Sequence, residues 1–210
     1  FLVAAIGYLL GSIPVGAIIG RRFGKENITT KGSGKIGATN TLRAFGRKAA
    51  LIVAALDISK GILAVVFAGL IIGGDFILIN HYGMGVLFAE VLAALAAIIG
   101  HIWPVFHHFK GGRGVATFFG GMVALSPVAA IFGSEVLIIG AGLTGFASLG
   151  SITGVVGVYA ILVALTIMNG FPLEYLIYAL SGTTIIVIMH RDNIKRLVAG
   201  KERRINEKTA

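Results

Sequence analysis

The sequence predicts an all-α, polytopic integral membrane protein with about seven transmembrane helices. Three observations carry this. Hydrophobic residues are 56% of the 210, and charged residues only 13%, where a soluble domain holds about 25% charged. Apolar runs of roughly 20 residues, long enough for a ~30 Å hydrocarbon core, recur along the chain. All lysines and arginines except Lys60 fall in three polar segments, the asymmetry that positive-inside topology produces. In such a chain the net charge of +9 reports topology and not nucleic-acid binding. With no cysteine, disulfide and thiolate chemistry are excluded.

The first run is Phe1 to Gly20, with Ser12 and Pro14 inside it. It lacks a basic n-region and a small-residue cleavage pattern, and is expected to be a retained span. Gly7/Gly11 and Gly16/Gly20 have the four-residue spacing that lets helices approach closely. The cationic segment Arg21 to Lys48 follows. The second run, Ala49 to Ile72, carries Asp57 and Lys60, one helical turn apart. Gly73 to Tyr82, with Asp75, is a short turn. The third run, Gly83 to Val105, contains Glu90. Next comes Phe106 to Thr117, rich in His and Gly. From Gly114 to Gly145 the chain is apolar except for Ser126-Pro127. One helix there would be ~48 Å long and would place the basic tail opposite the other basic loops. Two helices, the first short or partly re-entrant, put every basic loop on one side. The sixth run is Ile152 to Met168 and the seventh Pro172 to Met189. On this reading the N-terminus is outside and three basic segments face the cytoplasm. A fourth cytoplasmic link, Phe146 to Ser151, adds Ser148 and Ser151.

Function is sought in the polar segments. Lys31-Gly-Ser-Gly-Lys-Ile-Gly-Ala-Thr-Asn-Thr-Leu-Arg43 combines glycines, hydroxyls, an amide and three cations. That is a composition for holding a phosphate. Gly32 to Gly37 matches G-x-G-x-x-G but follows no strand, so a dinucleotide fold is not expected. Lys110-Gly-Gly-Arg-Gly-Val-Ala-Thr117 opens a helix, where free N–H groups and the helix dipole attract anions. His190-Arg-Asp-Asn193 closes the last span, with His190 and Asn193 on one helical face. Asp57 and Lys60 read either as a functional pair or as a self-neutralising pair bracing the site. Glu90 and Glu135 have no partner in sequence. His101 and Trp103 fit an interfacial belt. His107 and His108 have no carboxylate or cysteine spaced for a metal, and no metal site is expected. From the residues alone, a phosphorylated-anion transporter and a lipid-binding scaffold stand beside an enzyme.

Gly32 to Asn40 with Arg43, Asp57-x-x-Lys-Gly61, Gly100-His101 with Pro104-Val-Phe106, Lys110 to Thr117, and His190 to Asn193 occur in order. Together they resemble the bacterial acyl-phosphate:glycerol-3-phosphate acyltransferases, a seven-span inner-membrane family, from about Gly11 to Gly200. The family usually has Asn where Lys35 stands and Lys where Arg113 stands. The resemblance implies a single transmembrane acyltransferase domain over 1–210, with 191–210 a basic cytoplasmic tail. It implies transfer of a fatty acyl group from acyl phosphate to glycerol 3-phosphate, giving lysophosphatidate for phospholipid synthesis. The active site would face the cytoplasm at the bacterial inner membrane. Catalytic roles would fall on Ser33, Arg43, Lys110, His190 and Asn193. Substrate and phosphate contacts would fall on Gly34, Lys35, Gly37, Thr39, Asn40, Gly111, Gly112, Arg113, Gly114 and Ser148, with Asp57 and Lys60 a structural ion pair. No cofactor is expected, because acyl phosphate is already an activated mixed anhydride. Membrane lipid and a soluble enzyme that makes acyl phosphate are the expected partners. None of the five histidines has Asp five residues later, so a His-x-x-x-x-Asp acyltransferase dyad is absent.

Overall fold

The computed structural model describes residues 1–24, 27–72 and 85–207. The expected Gly73–Tyr82 turn with Asp75, the start of the third run at Gly83, and the cations Lys25 and Lys208 lie outside them. Among the described residues the fold is helical without strands: α1 (Leu2–Gly11), α2 (Val15–Gly24), α3 (Ala38–Ile72), α4 (Val86–Ile102), α5 (Val115–Leu125), α6 (Pro127–Thr144), α7 (Ala147–Asn169), α8 (Leu173–Met189) and α9 (Arg191–Val198).

Among the described residues, Leu2–Phe23, Ala38–Ile72, Val86–His107, Pro127–Thr144 and Ala147–Asn169 are each long and apolar enough to cross a membrane. Helices α8 and α9, bent by 60° at their junction, pass the same test as a pair. Helix α5 has 11 residues and rises only ~16 Å, about half the hydrocarbon core. The two-helix reading of Gly114 to Gly145 therefore holds. Pro127 takes the first helical position of α6, where its missing N–H leaves no bond unmade.

The first apolar run is broken at Ser12-Ile13-Pro14. Proline cannot donate to the preceding turn, and the Lys60 ammonium takes over, donating to the carbonyls of Gly11 and Ile13 at 3.0 Å each. Gly7 and Gly11 lie against the backbone of Ala93 and Ala97 on α4, as their spacing suggested. Gly16 and Gly20 instead face Ile36 of the polar loop and the Phe45 ring near the start of α3. Helix α3 starts eleven residues before the expected Ala49 and kinks at Gly46, whose φ of 83° is left-handed. Residues 38–45 are thus helical, within the stretch read as a cationic loop. Gly61 of α3 and Gly120 of α5 lie against backbone of the opposing helix, so the short helix docks closely on α3. Helix α7 begins at Ala147, which places Ser148 and Ser151 in its first turns and not in a link.

Candidate active site

The loop from Lys31 to Gly37 is shaped by Asn40. This buried side chain accepts from Ser33 N–H at 3.0 Å and donates to the carbonyls of Ile28, Lys31 and Lys35. Asn40 was expected to touch substrate; its amide is instead engaged with the loop's own backbone. The Gly34 N–H is also engaged, donating to Lys31, and Gly32 and Gly34 have φ of 55° and 68°. The Gly37 carbonyl accepts from Asn40 N–H, Thr41 N–H and the Thr41 hydroxyl. The loop is therefore held, through the backbone of Ser33 and Lys35, against the first turn of α3, which carries Thr39.

The second glycine cluster needs a similar correction. Gly111 and Gly112 donate their N–H groups to the carbonyls of Ile102 and His101, capping the end of α4. They were expected to present these groups to an anion. A Cβ at either would meet His101 directly, so glycine is required for close approach. Lys110 is exposed and Arg113 half-buried. Gly114, at φ 86°, caps α5; the first N–H groups of that helix are the ones left for a ligand.

At the far end of the chain, α9 leads into a segment that folds back. Glu202, its side chain 3% exposed, accepts from the Ser148 hydroxyl at 3.0 Å, Asn193 Nδ2 at 2.6 Å and Arg196 Nε at 2.8 Å. Arg43 donates to the carbonyls of Arg203 and Arg204, and Ile205 N–H donates to Gly145. The stretch after α9 is thus a strap joining α3, α7 and α9. Sequence reasoning missed Glu202: an acid in a basic stretch, nine residues beyond Asn193, has no spacing that ties it to a motif.

The electrostatics show which segments meet. Burial, then the Arg113 charge, push the Lys35 ammonium down. Arg113 is pushed down to about 10, first by burial and then by Arg196 and Arg43, with Glu202 opposing. His190 is lowered to about 4, mainly by burial, with Arg113 adding to it. Its Nδ1 lies 2.8 Å from the Ile186 carbonyl, which can only accept, so Nδ1 carries the proton and Nε2 is an acceptor. Burial alone would raise the Glu202 carboxyl, but its bonds from Asn193, Arg196 and Ser148 hold it below the usual range. Lys35, Arg43, Arg113, Ser148, His190 and Asn193 therefore belong to one neighbourhood, and Ser33 stands two residues before Lys35 in the loop that Asn40 braces. Two of this neighbourhood's buried polar atoms have no hydrogen-bond partner among the described residues: Arg113 Nε, a donor, and Asn193 Oδ1, an acceptor. His101 departs from the expected belt. It is 3% exposed and lies against Asp57, while Trp103 is 43% exposed. Glu90 faces Gly69 of α3, and Glu135 is exposed on α6.

These shifts predict acid sensitivity. The Glu202 contribution is present above the normal carboxylate range and lost as pH falls through its lower folded value. His190 resists a proton in the fold that the unfolded chain accepts, so stability falls as pH drops from 6.5 to about 4. The melting temperature in detergent should decline across that window, and His190→Gln should flatten its upper part. A melting temperature independent of pH there would contradict the assignment.

A helical membrane fold that gathers hydroxyls, crowded cations and a neutral imidazole in one neighbourhood defines a polytopic membrane protein with a cationic polar site. Comparison with known proteins gives the particular kind. The glycerol-3-phosphate acyltransferase family matches residues 1–200. A glycerol-3-phosphate acyltransferase 3 of Dehalococcoides mccartyi is 66% identical over 208 residues, covering 99% of this chain and 96% of the relative. A glycerol-3-phosphate acyltransferase of a Synechococcus species is 41% identical over 212 residues, covering 100% and 95%. The crystal structure of PlsY (YgiH), an integral membrane glycerol 3-phosphate acyltransferase, in its glycerol 3-phosphate form, superposes with a TM-score of 0.83 at 34% identity, covering 97% of this chain and 94% of that one. Its lysophosphatidic acid form gives 0.79, covering 97% and 93%. The chain belongs to the glycerol-3-phosphate acyltransferase family and is an integral membrane acyltransferase.

Proposed function

We propose that this protein transfers a fatty acyl group from acyl phosphate to glycerol 3-phosphate, releasing phosphate and 1-acyl-glycerol 3-phosphate. The reaction takes place at the cytoplasmic face of the bacterial inner membrane, within one domain spanning 1–210. The observation that carries this reading is the pair of unpartnered buried atoms among crowded cations. Arg113 Nε, with Lys35 and Arg43 nearby in charge, suits a phosphate oxygen; Asn193 Oδ1 suits a glycerol hydroxyl. The relatives' names and the two liganded forms of PlsY agree with the acceptor and product.

In the reaction the glycerol hydroxyl oxygen bonds to the acyl carbonyl carbon, and the carbon–oxygen bond to phosphate breaks. Ser33, Thr39 and Lys110 border the two anions and supply donors where the carbonyl oxygen gains charge. Ser148 and Asn193 are fixed by Glu202. Holding both substrates in register supplies the main acceleration. The hydroxyl proton passes to the departing phosphate. His190, at about 4, is neutral at pH 7 but too weak a base to be required. His190→Ala should therefore retain weakened but measurable turnover. Complete loss of turnover with unchanged substrate binding would make His190 the base.

The test is purified protein with labelled glycerol 3-phosphate and three donors in parallel. Labelled lysophosphatidate should form with acyl phosphate and not with acyl-CoA or acyl carrier protein. Product from either thioester without acyl phosphate would overturn the donor assignment.

A further inference from the structure

Within the bundle, Asp57, Lys60 and His101 form a closed cluster. Their residues are 2%, 4% and 3% exposed. Asp57 Oδ1 lies 2.8 Å from Lys60 Nζ and 3.4 Å from His101 Nδ1. Lys60 reaches from there to the broken end of α1. The other edge of the His101 ring, at Nε2, lies under Gly112, where a Cβ would strike it. The His101 carbonyl accepts from the Gly112 N–H at 3.1 Å, and the Ile102 carbonyl from the Gly111 N–H at 3.1 Å. One residue beyond Gly112 stands Arg113, whose Nε has no hydrogen-bond partner among the described residues.

We infer that His101 is a positioning residue for the acceptor's phosphate. Its imidazole, oriented by the Asp57–Lys60 pair, is the floor on which the glycine turn rests, and so sets where Arg113 stands. The inference rests on the proposed function for the identity of the anion, though not for the contacts themselves. A buried ion pair costs desolvation that an apolar pair avoids. Its presence beneath the turn is accounted for if it holds a ring in one orientation that apolar packing would leave free to rotate. The glycines above it then follow from the same geometry, since any side chain at Gly112 would push the turn off its floor. Small displacements of a positioned cation are costly in rate or affinity.

A double-mutant cycle between His101→Leu and Arg113→Gln tests this. His101→Leu should raise the KM for glycerol 3-phosphate about tenfold with kcat changed less than about threefold. Combined with Arg113→Gln it should add less than about threefold to the loss from Arg113→Gln alone. Tyr178→Phe, which removes the buried bond from Tyr178 to the Phe118 carbonyl, is the structural control, and its effect should multiply with Arg113→Gln. If His101→Leu does not accumulate folded, His101→Gln takes its place, keeping an amide donor of similar reach without the ring. A multiplicative loss for the His101 variant overturns the inference. So does a variant whose only defect is a lower melting temperature, with the KM of the folded fraction unchanged. If the wild type transfers no acyl group from any donor, the proposed function falls, and the same cycle is read on glycerol 3-phosphate affinity by calorimetry.

Discussion

Lys60→Met is expected to destabilise the protein by about 3–5 kcal/mol, because it leaves the buried Asp57 carboxylate without its ammonium partner and with only the His101 ring beside it. At the same time the Gly11 carbonyl loses its Lys60 donor, and the Ile13 carbonyl keeps only the Val15 N–H. In lipid no water can replace the ammonium. For a chain of this size such a loss lowers the melting temperature by roughly 10 °C or more. Adding Asp57→Leu should recover part of this, since the buried carboxylate disappears, but not all, since the Gly11 carbonyl remains without its donor. Thermal unfolding in detergent measures both. A Lys60→Met variant that melts within about 2 °C of wild type would show that the pair contributes little to the fold.

Glu202→Ala is expected to abolish most activity, by about a hundredfold or more, and to lower stability by roughly 2–4 kcal/mol. Ser148, Asn193 and Arg196 all donate to this one carboxylate. Without it, Arg196 becomes an uncompensated cation beside Arg113 and Arg43, whose charges it already opposes. The strap that engages Arg43 through the carbonyls of Arg203 and Arg204 would also lose its anchor. Glu202→Gln keeps the shape and an acceptor oxygen, and should fall between Ala and wild type. Steady-state rates measured with melting curves separate the two effects. Full activity in a folded Glu202→Ala protein would remove the residue from the account.

Much of the fold was legible because lipid imposes simple rules. Run length gave the helices, and Ser126-Pro127 gave the break between α5 and α6. The break at Ser12-Pro14 was harder to read, because its repair comes from Lys60, 46 residues beyond Pro14. The start of α3 at Ala38 was hidden by charge: residues 38–45 look like a loop until Gly37 and Asn40 are seen to cap and brace them. At the site, composition identified the segments that meet but not the direction in which their groups face. Asn40, Gly111 and Gly112 were assigned to the ligand, and the structure turns them toward the protein's own backbone. Glycine and asparagine serve both purposes, and only the hydrogen-bond partners tell them apart. Glu202 and His101 escaped for the same reason, since a side chain bonded across distant segments leaves no local pattern.

The central claim is that the loop before α3, the turn before α5 and the segment around α9 face one aqueous phase. The chain has no cysteine, so single-cysteine variants at the exposed positions Thr30, Lys110 and Arg191 can be labelled cleanly with a membrane-impermeant maleimide. All three should react in inside-out vesicles and stay protected in intact cells with a sealed inner membrane. Labelling of any one of them from the opposite side to the other two would separate the segments and leave no shared site.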